Sequence, residues 1–400
     1  MYQINIYSTL SVTLISFIFT TLTQTLWPFA INQLLGAAIF VQLLYIEAVT
    51  MKKKECVVNL VLAFSIIISF LLAKDVRRNI SDSVYWIVTC VVFMKLADKK
   101  VTNQLYRSLC KQRKYITYIV AIANGVVILS LFLPICYATE VWGGGKYFQG
   151  FSVSSHTFSS GICMLLSLQL FLFNGVPKKW WHLLFFLPGF VAIMESGARV
   201  FMVSALIICV IYYICFIRNQ YIRYAFFPLM ILGIVTMFVN SSMQEKFDFV
   251  YGNQYISHSF LGQLTSGRSE FWVIDWNAFW DYSLVNKLFG NGFDHVYDIN
   301  EIEYGMRIWA HNDLLNLLLS VGLLGTFTYA LIVGNLIAAI RKRAKTLLFK
   351  ILFIVYLLFP MMANGVFLYQ HYIYSAVFLY FILLGDVKDE RFSVCDRSYI

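Results

Sequence analysis

Runs of roughly 18 or more apolar residues recur along this chain, and a run of that length crosses a bilayer core of about 30 Å as a single helix. Composition agrees. Of 400 residues, 60% are hydrophobic and only 13% are charged, and the mean hydropathy is +0.70. A soluble domain carries roughly 25% charged residues, and this much apolar surface exceeds what one soluble core can take in. The fold class expected is therefore an all-α polytopic membrane protein, with residues 1–400 forming one integral membrane domain.

Hydropathy places about 12 spans, near 4–27, 29–50, 56–73, 82–97, 116–137, 157–174, 181–195, 199–217, 223–242, 314–340, 348–366 and 370–386. The first run lacks a basic leading segment and a small-residue cleavage site, so it reads as a membrane helix and not as a removed signal. The eight cysteines lie mostly in apolar runs or at span edges, without metal-ligand spacing, and read as small apolar residues. Nucleic acid is not an expected partner despite a net charge of +10, because no basic and aromatic module accompanies it.

The cations instead mark one side of the membrane. Lys52-Lys53-Lys54, Lys99-Lys100 through Arg113-Lys114, Lys178-Lys179, Arg218, Arg223 and Arg341-Lys342-Arg343 fall in alternate loops. By the positive-inside rule these loops and both termini are cytoplasmic, with Arg77 and Arg78 the local exception. The alternation puts one large polar loop, residues 243–313 between spans 9 and 10, on the extracytoplasmic side. A long loop with cations, carboxylates, glycines and a histidine is where a membrane protein carries chemistry.

Within that loop, Ser269 to Lys287 reads as an interfacial helix. Phe271, Trp272, Trp276, Phe279 and Trp280 are spaced to form one aromatic face, with Asp275 and Asp281 on a more polar side and Ser266 or Ser269 as N-cap. Arg268 beside a helix N-terminus suits a phosphate, or alternatively pairs with Glu270 or lipid headgroups. Gly290-Asn291-Gly292 alone reads as a turn. His311 falls at the outer mouth of span 10, where Asn312 or Asp313 caps the helix. Glu195 and Arg199 have the i,i+4 spacing of a structural ion pair.

The order of these pieces carries a resemblance. Gly267-Arg268-x-x-x-Trp272, then Leu288-Phe289-Gly290-x-Gly292-Phe293, then His311-Asn312 followed by a Leu-rich helix with Val321-Gly322-Leu323-Leu324-Gly325, resembles the O-antigen polymerase and O-antigen ligase superfamily. Glu195-Ser196-Gly197-Ala198-Arg199 resembles that family's "ser-arg" helix start. Gln149-Gly150-Phe151 with Ser155-His156-Thr157-Phe158 resembles its "arg-phe-x-gly-phe … pro-asn" segment, with Tyr147 and Phe148 where a cation is common and Lys146 as the substitute charge.

What the resemblance implies is a glycosyltransferase of the outer face of a bacterial cytoplasmic membrane, independent of metal and of any other cofactor. The donor would be an oligosaccharide on undecaprenyl diphosphate, transferred with inversion. Arg199 and Arg268 would stabilise the charge on the departing diphosphate. His311 would act either as base or as donor to the diphosphate. Gly290, Gly292, Asn312, Trp272 and Lys146 would help bind substrate. His156 and His371, on the same side, are weaker candidates, while His258 and His295 read as loop surface and His182, near Lys178-Lys179, as uninvolved. The leading expectation is a repeat-unit polymerase for a surface polysaccharide, working with a chain-length regulator and a flippase. The alternative is a ligase transferring the glycan to a lipid A core or another surface acceptor. A transporter or flippase is a distant third, because no internal repeat or midplane charge cluster is evident.

Overall fold

The computed structural model describes residues 5–27, 30–139, 146–174, 184–216, 221, 224–225, 228, 265, 267–305, 307–344 and 346–385. Most of the expected span 223–242, the loop opening 243–264, His182 and His258 lie outside the described residues.

The described chain is almost entirely helical. It runs α1 (Ile6–Leu22), α2 (Ile31–Thr50), α3 (Lys53–Leu72), α4 (Val76–Ala97), α5 (Lys99–Lys111) and α6 (Arg113–Leu131). A two-stranded hairpin follows, β1 (Tyr137–Thr139) antiparallel to β2 (Lys146–Phe148), with Tyr137 opposite Phe148. Then come α7 (Ser155–Phe173), α8 (Leu187–Glu195), α9 (Arg199–Phe216), α10 (Arg268–Asp281), α11 (Leu284–Phe289), α12 (His295–Tyr304), α13 (Asp313–Arg343), α14 (Leu347–Ala363) and α15 (Gln370–Gly385). Six of these helices, α2, α3, α4, α6, α7 and α13, are long and apolar enough to cross a membrane, and α1, α9 and α14 are shorter apolar helices. Helix is the form in which a lone segment satisfies its own backbone in lipid.

Polar residues set the helix starts. Asn5, Asp75, Asp98, Ser154 and Thr346 accept backbone N–H groups of α1, α4, α5, α7 and α14. Two elements differ from the sequence expectation. The cationic stretch 99–111, read as loop, is the amphipathic helix α5, which buries Val101, Leu105 and Leu109 at i, i+4 and i+8. The apolar run 181–195 yields only the short helix α8 among its described residues.

The centre of the bundle is α7 packed along α15, which is apolar on all sides. On α7 only His156 and Thr157 escape burial. At the periphery, α2 and α3 leave Leu34, Val41, Val57, Leu60 and Leu71 exposed, the surface that lipid covers. One end of the bundle is a charge network. Lys95, nearly buried, bridges Glu47 at 2.8 Å and Glu55 at 3.0 Å, Lys52 pairs with Asp98, and Arg343 caps α4 through the carbonyls of Leu96 and Ala97.

The opposite end carries a cap made of α10, α11 and α12, with a small core of its own formed by Phe279, Val296, Tyr297, Ile299 and Trp309. Asp294 fastens the cap to the α3–α4 turn by accepting from the amides of Lys74 and Asp75, both at 2.7 Å. The Phe293 amide donates to Asn79 Oδ1 at 2.7 Å, and Tyr297 donates to Asp82 at 2.9 Å.

Helix α13 is broken at Gly322, whose φ of 63° and ψ of −167° are not helical. A break inside a membrane helix strands backbone carbonyls, which must find other partners. Here the amides of Asn291 and Gly292 donate to the carbonyls of Leu319 at 2.9 Å and Ser320 at 3.0 Å. The glycine turn of the cap is thus the piece that satisfies the broken helix.

Candidate active site

His311 lies in the link between α12 and α13, with φ of 51°, the only non-glycine residue at positive φ among the described residues. Such a conformation costs about 1–3 kcal/mol and persists only where neighbours fix it. They do so on both sides. The carbonyl of Ala310 accepts from Trp272 Nε1 at 3.0 Å. Asn312 caps α13, accepting from the amides of Leu314 and Leu315 at 3.0 and 3.2 Å, and its own Nδ2 donates to the carbonyl of Met362 at 3.0 Å. The imidazole lies 4.9 Å from the Trp309 ring and 6.5 Å from Phe271. Its Nδ1 is buried and completes no hydrogen bond of good geometry among the described residues.

Arg268 opens α10. Gly267, in the left-handed region at φ 80°, turns the chain into the helix, and Thr265 accepts from the amide of Ser269 at 3.1 Å. The hydroxyl at the helix start is therefore that of Thr265, and Ser269 lies inside the first turn. Arg268 Nη1 donates to the carbonyl of Ala363 at 2.7 Å. Burial lowers the Arg268 pKa, with Tyr369 opposing, and a guanidinium stays charged through such a change.

Arg199 is the first residue of α9. Gly197, at φ 62°, breaks the chain between it and Glu195, the last residue of α8. The i,i+4 spacing of Glu195 and Arg199 therefore does not fall within one helix. The Arg199 charge acts on Arg268, and Tyr147 of β2 lies in the same field.

These three groups share one electrostatic neighbourhood. Burial holds His311 well below the ordinary histidine value, and Arg268 and then His156 push it the same way, while Asn364 opposes them. His156, at the start of α7, stacks against Tyr369 at 6.4 Å, and Tyr369 in turn lies 5.9 Å from Trp309. Arg199, Arg268 and His311 thus converge from α9, α10 and the α12–α13 link. His156, Tyr147, Tyr369 and Asn364 join them.

The remaining sequence candidates have other placements. Trp272 and Asn312 flank His311 and fix its backbone. Gly290 and Gly292 sit under the break in α13. Lys146 is exposed at the start of β2 and makes no ion pair among the described residues; the neighbouring Tyr147 is the β2 side chain that the Arg199 field reaches. His371 is buried inside the bundle, stacked on Phe17 at 4.8 Å. His295 packs on Tyr282 in the cap.

The single aromatic face read for α10 is also corrected. The inward stripe is Phe271, Asp275 and Phe279, while Trp276 and Trp280 are 45% and 55% exposed. Aromatic residues occur on both sides of this helix, so periodicity alone misassigned Asp275 to the polar face.

Asn364 and Tyr369 were not found by sequence reasoning. Their signal was the Asn364-Gly365 turn pair at the end of an apolar run, which hydropathy absorbed into the expected span 348–366.

The fold and site together define a polytopic membrane protein whose cationic, histidine-bearing centre lies at one end of its helix bundle. Residues 183–330 match the family model described as O-Antigen ligase. The match supports the O-antigen polymerase and ligase superfamily, a group of glycosyltransferase-like membrane proteins of polysaccharide biosynthesis. It spans Arg199, Arg268, Gly290, Gly292, His311 and Gly322, and it ends before Asn364 and Tyr369. No curated protein and no solved structure matches the chain.

Proposed function

We propose that this protein polymerises oligosaccharide repeat units carried on undecaprenyl diphosphate into a surface polysaccharide, by inverting glycosyl transfer on the outer face of the bacterial cytoplasmic membrane. The observation that carries this reading is the convergence of Arg199, Arg268 and His311, from three separate segments, on one partly buried site. In the reaction the acceptor hydroxyl attacks the anomeric carbon. The bond from that carbon to the diphosphate breaks, and its electron pair leaves on the phosphate oxygen. Two guanidinium groups in a partly buried site stabilise the charge that develops there.

His311 takes the hydroxyl proton. Its lowered pKa keeps the ring neutral at neutral pH, the state a proton acceptor needs. The imidazolium formed in the step gains a counter-charge as the diphosphate becomes more anionic. In this reading the Lys52 to Lys54 end and both termini face the cytoplasm, and the cap faces outward. In the same reading the chain has about 12 spans, with residues 243–313 as the large outer loop. The exposed Trp276 and Trp280 meet the membrane interface, as aromatic belts do. A flippase supplies the lipid-linked unit and a chain-length regulator sets when extension stops.

Complementation of a deletion strain tests the reading. Arg268→Ala and His311→Ala abolish long glycan chains on a gel while the protein remains in the membrane. Normal chain ladders in both variants would sink the assignment. The family description favours a second reading, transfer of finished glycan to a lipid A core or another surface acceptor. The lipid-linked pool of the deletion strain separates the two: single repeat units accumulate if the protein is a polymerase, and long lipid-linked chains if it is a ligase.

A further inference from the structure

Asn364 ends α14 and is fully buried. Its amide donates to the carbonyl of Pro360 at 2.9 Å. The residues around it are each tied to a neighbour of His311. The Met362 carbonyl accepts from Asn312 at 3.0 Å, the Ala363 carbonyl accepts from Arg268 at 2.7 Å, and the Val366 amide donates to Asp313 at 2.8 Å. The side chain of Asn364 is the exception. Both it and the Asn364 backbone stand beside the His311 ring, yet Oδ1 and Nδ2 complete no hydrogen bond of good geometry among the described residues. One unsatisfied buried polar atom costs about 1–3 kcal/mol, which a leucine of similar size would avoid. His311 Nδ1 is buried and unsatisfied at the same place.

We propose that Asn364 is a positioning residue for His311: its amide oxygen holds the proton-bearing nitrogen of the neutral imidazole, so that the other nitrogen offers its lone pair to the acceptor hydroxyl. This rests on the transferase reading above. The hydroxyl proton passes to that nitrogen, the hydroxyl oxygen bonds the anomeric carbon, and the electron pair of the breaking bond leaves on the diphosphate. Asn364 itself exchanges no proton. An amide fits the place better than a carboxylate would. The charged or titratable groups that act on the ring are Arg268 from α10 and His156 from α7; Tyr369 before α15 stacks on His156, and Asp313 heads α13 two residues on. Asp313 is already engaged by Val366 and by Tyr329, and Arg199 acts on Arg268. A carboxylate at 364 would draw Arg268 away from the diphosphate and favour the imidazolium, which cannot accept the proton.

The test uses the full-length protein with isotope-labelled histidine in lipid nanodiscs, the His311 signals being assigned by their loss in His311→Gln. The wild-type ring is expected in one neutral tautomer across roughly pH 5 to 8. Asn364→Leu mixes the two tautomers, and the isosteric Asn364→Asp brings titration of the ring into that range. In the complemented strain Asn364→Leu lowers polysaccharide about 10- to 100-fold, less than loss of the base itself, with protein still in the membrane. An unchanged tautomer in Asn364→Leu overturns the proposal, as does a mixed tautomer with wild-type polysaccharide. Should the leucine variant not accumulate, an Asn364→Asp ring that titrates as in wild type overturns it equally. Normal polysaccharide in His311→Ala overturns the transferase reading instead, and that result is read without altering Asn364.

Discussion

Gly290 and Gly322 meet backbone to backbone. A Cβ on Gly290 would lie 2.3 Å from the carbonyl carbon of Ser320, and a Cβ on Gly322 would lie 2.5 Å from that of Leu288. Both residues also stand at positive φ, 76° and 63°. Each glycine makes room for the other's segment, and the contact lets the cap's amides reach the carbonyls freed by the break in α13.

Gly290→Ala and Gly322→Ala are therefore expected to destabilise the protein by about 2–5 kcal/mol, from the φ penalty together with overpacking against backbone. Gly305 has the same φ of 76° but open space where a Cβ would go. Gly305→Ala should cost only about 1–2 kcal/mol. Thermal unfolding of the detergent-solubilised variants checks the contrast, and equal losses at all three positions would contradict the packing argument.

Trp272 acts on the site through one hydrogen bond, to the carbonyl just before His311. Trp272→Phe keeps most of the ring and removes the donor, which frees His311 from its left-handed backbone. Transfer is expected to fall about tenfold, equivalent to roughly 1.4 kcal/mol, with no matching loss of protein from the membrane. The rate of chain elongation in membrane vesicles measures it.

The pH dependence follows from His311. The proposed reaction needs the neutral ring, and burial, Arg268 and His156 all lower its pKa. The acid limb of the transfer rate therefore lies below the ordinary histidine range, and activity holds as pH falls through that range. Removing a neighbouring cation raises the pKa and moves the limb upward. Arg268→Gln should move it further than His156→Gln, since Arg268 has the larger influence. Rate profiles of the residual activities decide this, and an acid limb that stays fixed in both variants would remove His311 as the titrating group.

Asp275 gives the cap a stability that depends on pH in the opposite sense. It is fully buried between α10 and α12, and burial pushes its carboxyl up to about 8, with Asn300 opposing. The folded state then holds a proton that the unfolded chain has released above about pH 4. Stability is complete below that value and declines as pH rises toward 8, by at most about 1.4 kcal/mol per pH unit. Asp275→Asn should flatten this decline. Hydrogen exchange of the cap helices at several pH values is the measurement.

Much of this was legible in the chain. Arg199, Arg268 and His311 were each visible at a helix start or a loop end, and the apolar runs located most helices within a few residues. The parts that were not legible share a cause. Asp275 looks polar in one dimension, yet it falls on the buried stripe because Phe271 and Phe279 decide how α10 is rolled. Asn364 looks like the tail of an apolar span, and only the return of the chain past Arg268 and Asn312 gives it a role. Gly290 and Gly292 read as a turn in the chain, and only the fold sets that turn against the break at Gly322.

The sequence by itself determined that the chain lives in lipid, that its cations gather on alternate loops, and that a cationic and histidine-bearing segment lies between two of its apolar runs. These are properties of composition and spacing, which hydropathy reads directly. Tertiary structure alone decided which of those residues meet. Arg199 and Arg268 are 69 positions apart, and no local rule relates them. They come together because the cap is fastened to the α3–α4 turn by Asp294 and to broken α13 by its glycine turn, so that buried polar groups in both places find partners. Satisfying those backbone groups away from water fixes the position of the cap, and the position of the cap brings these cations together.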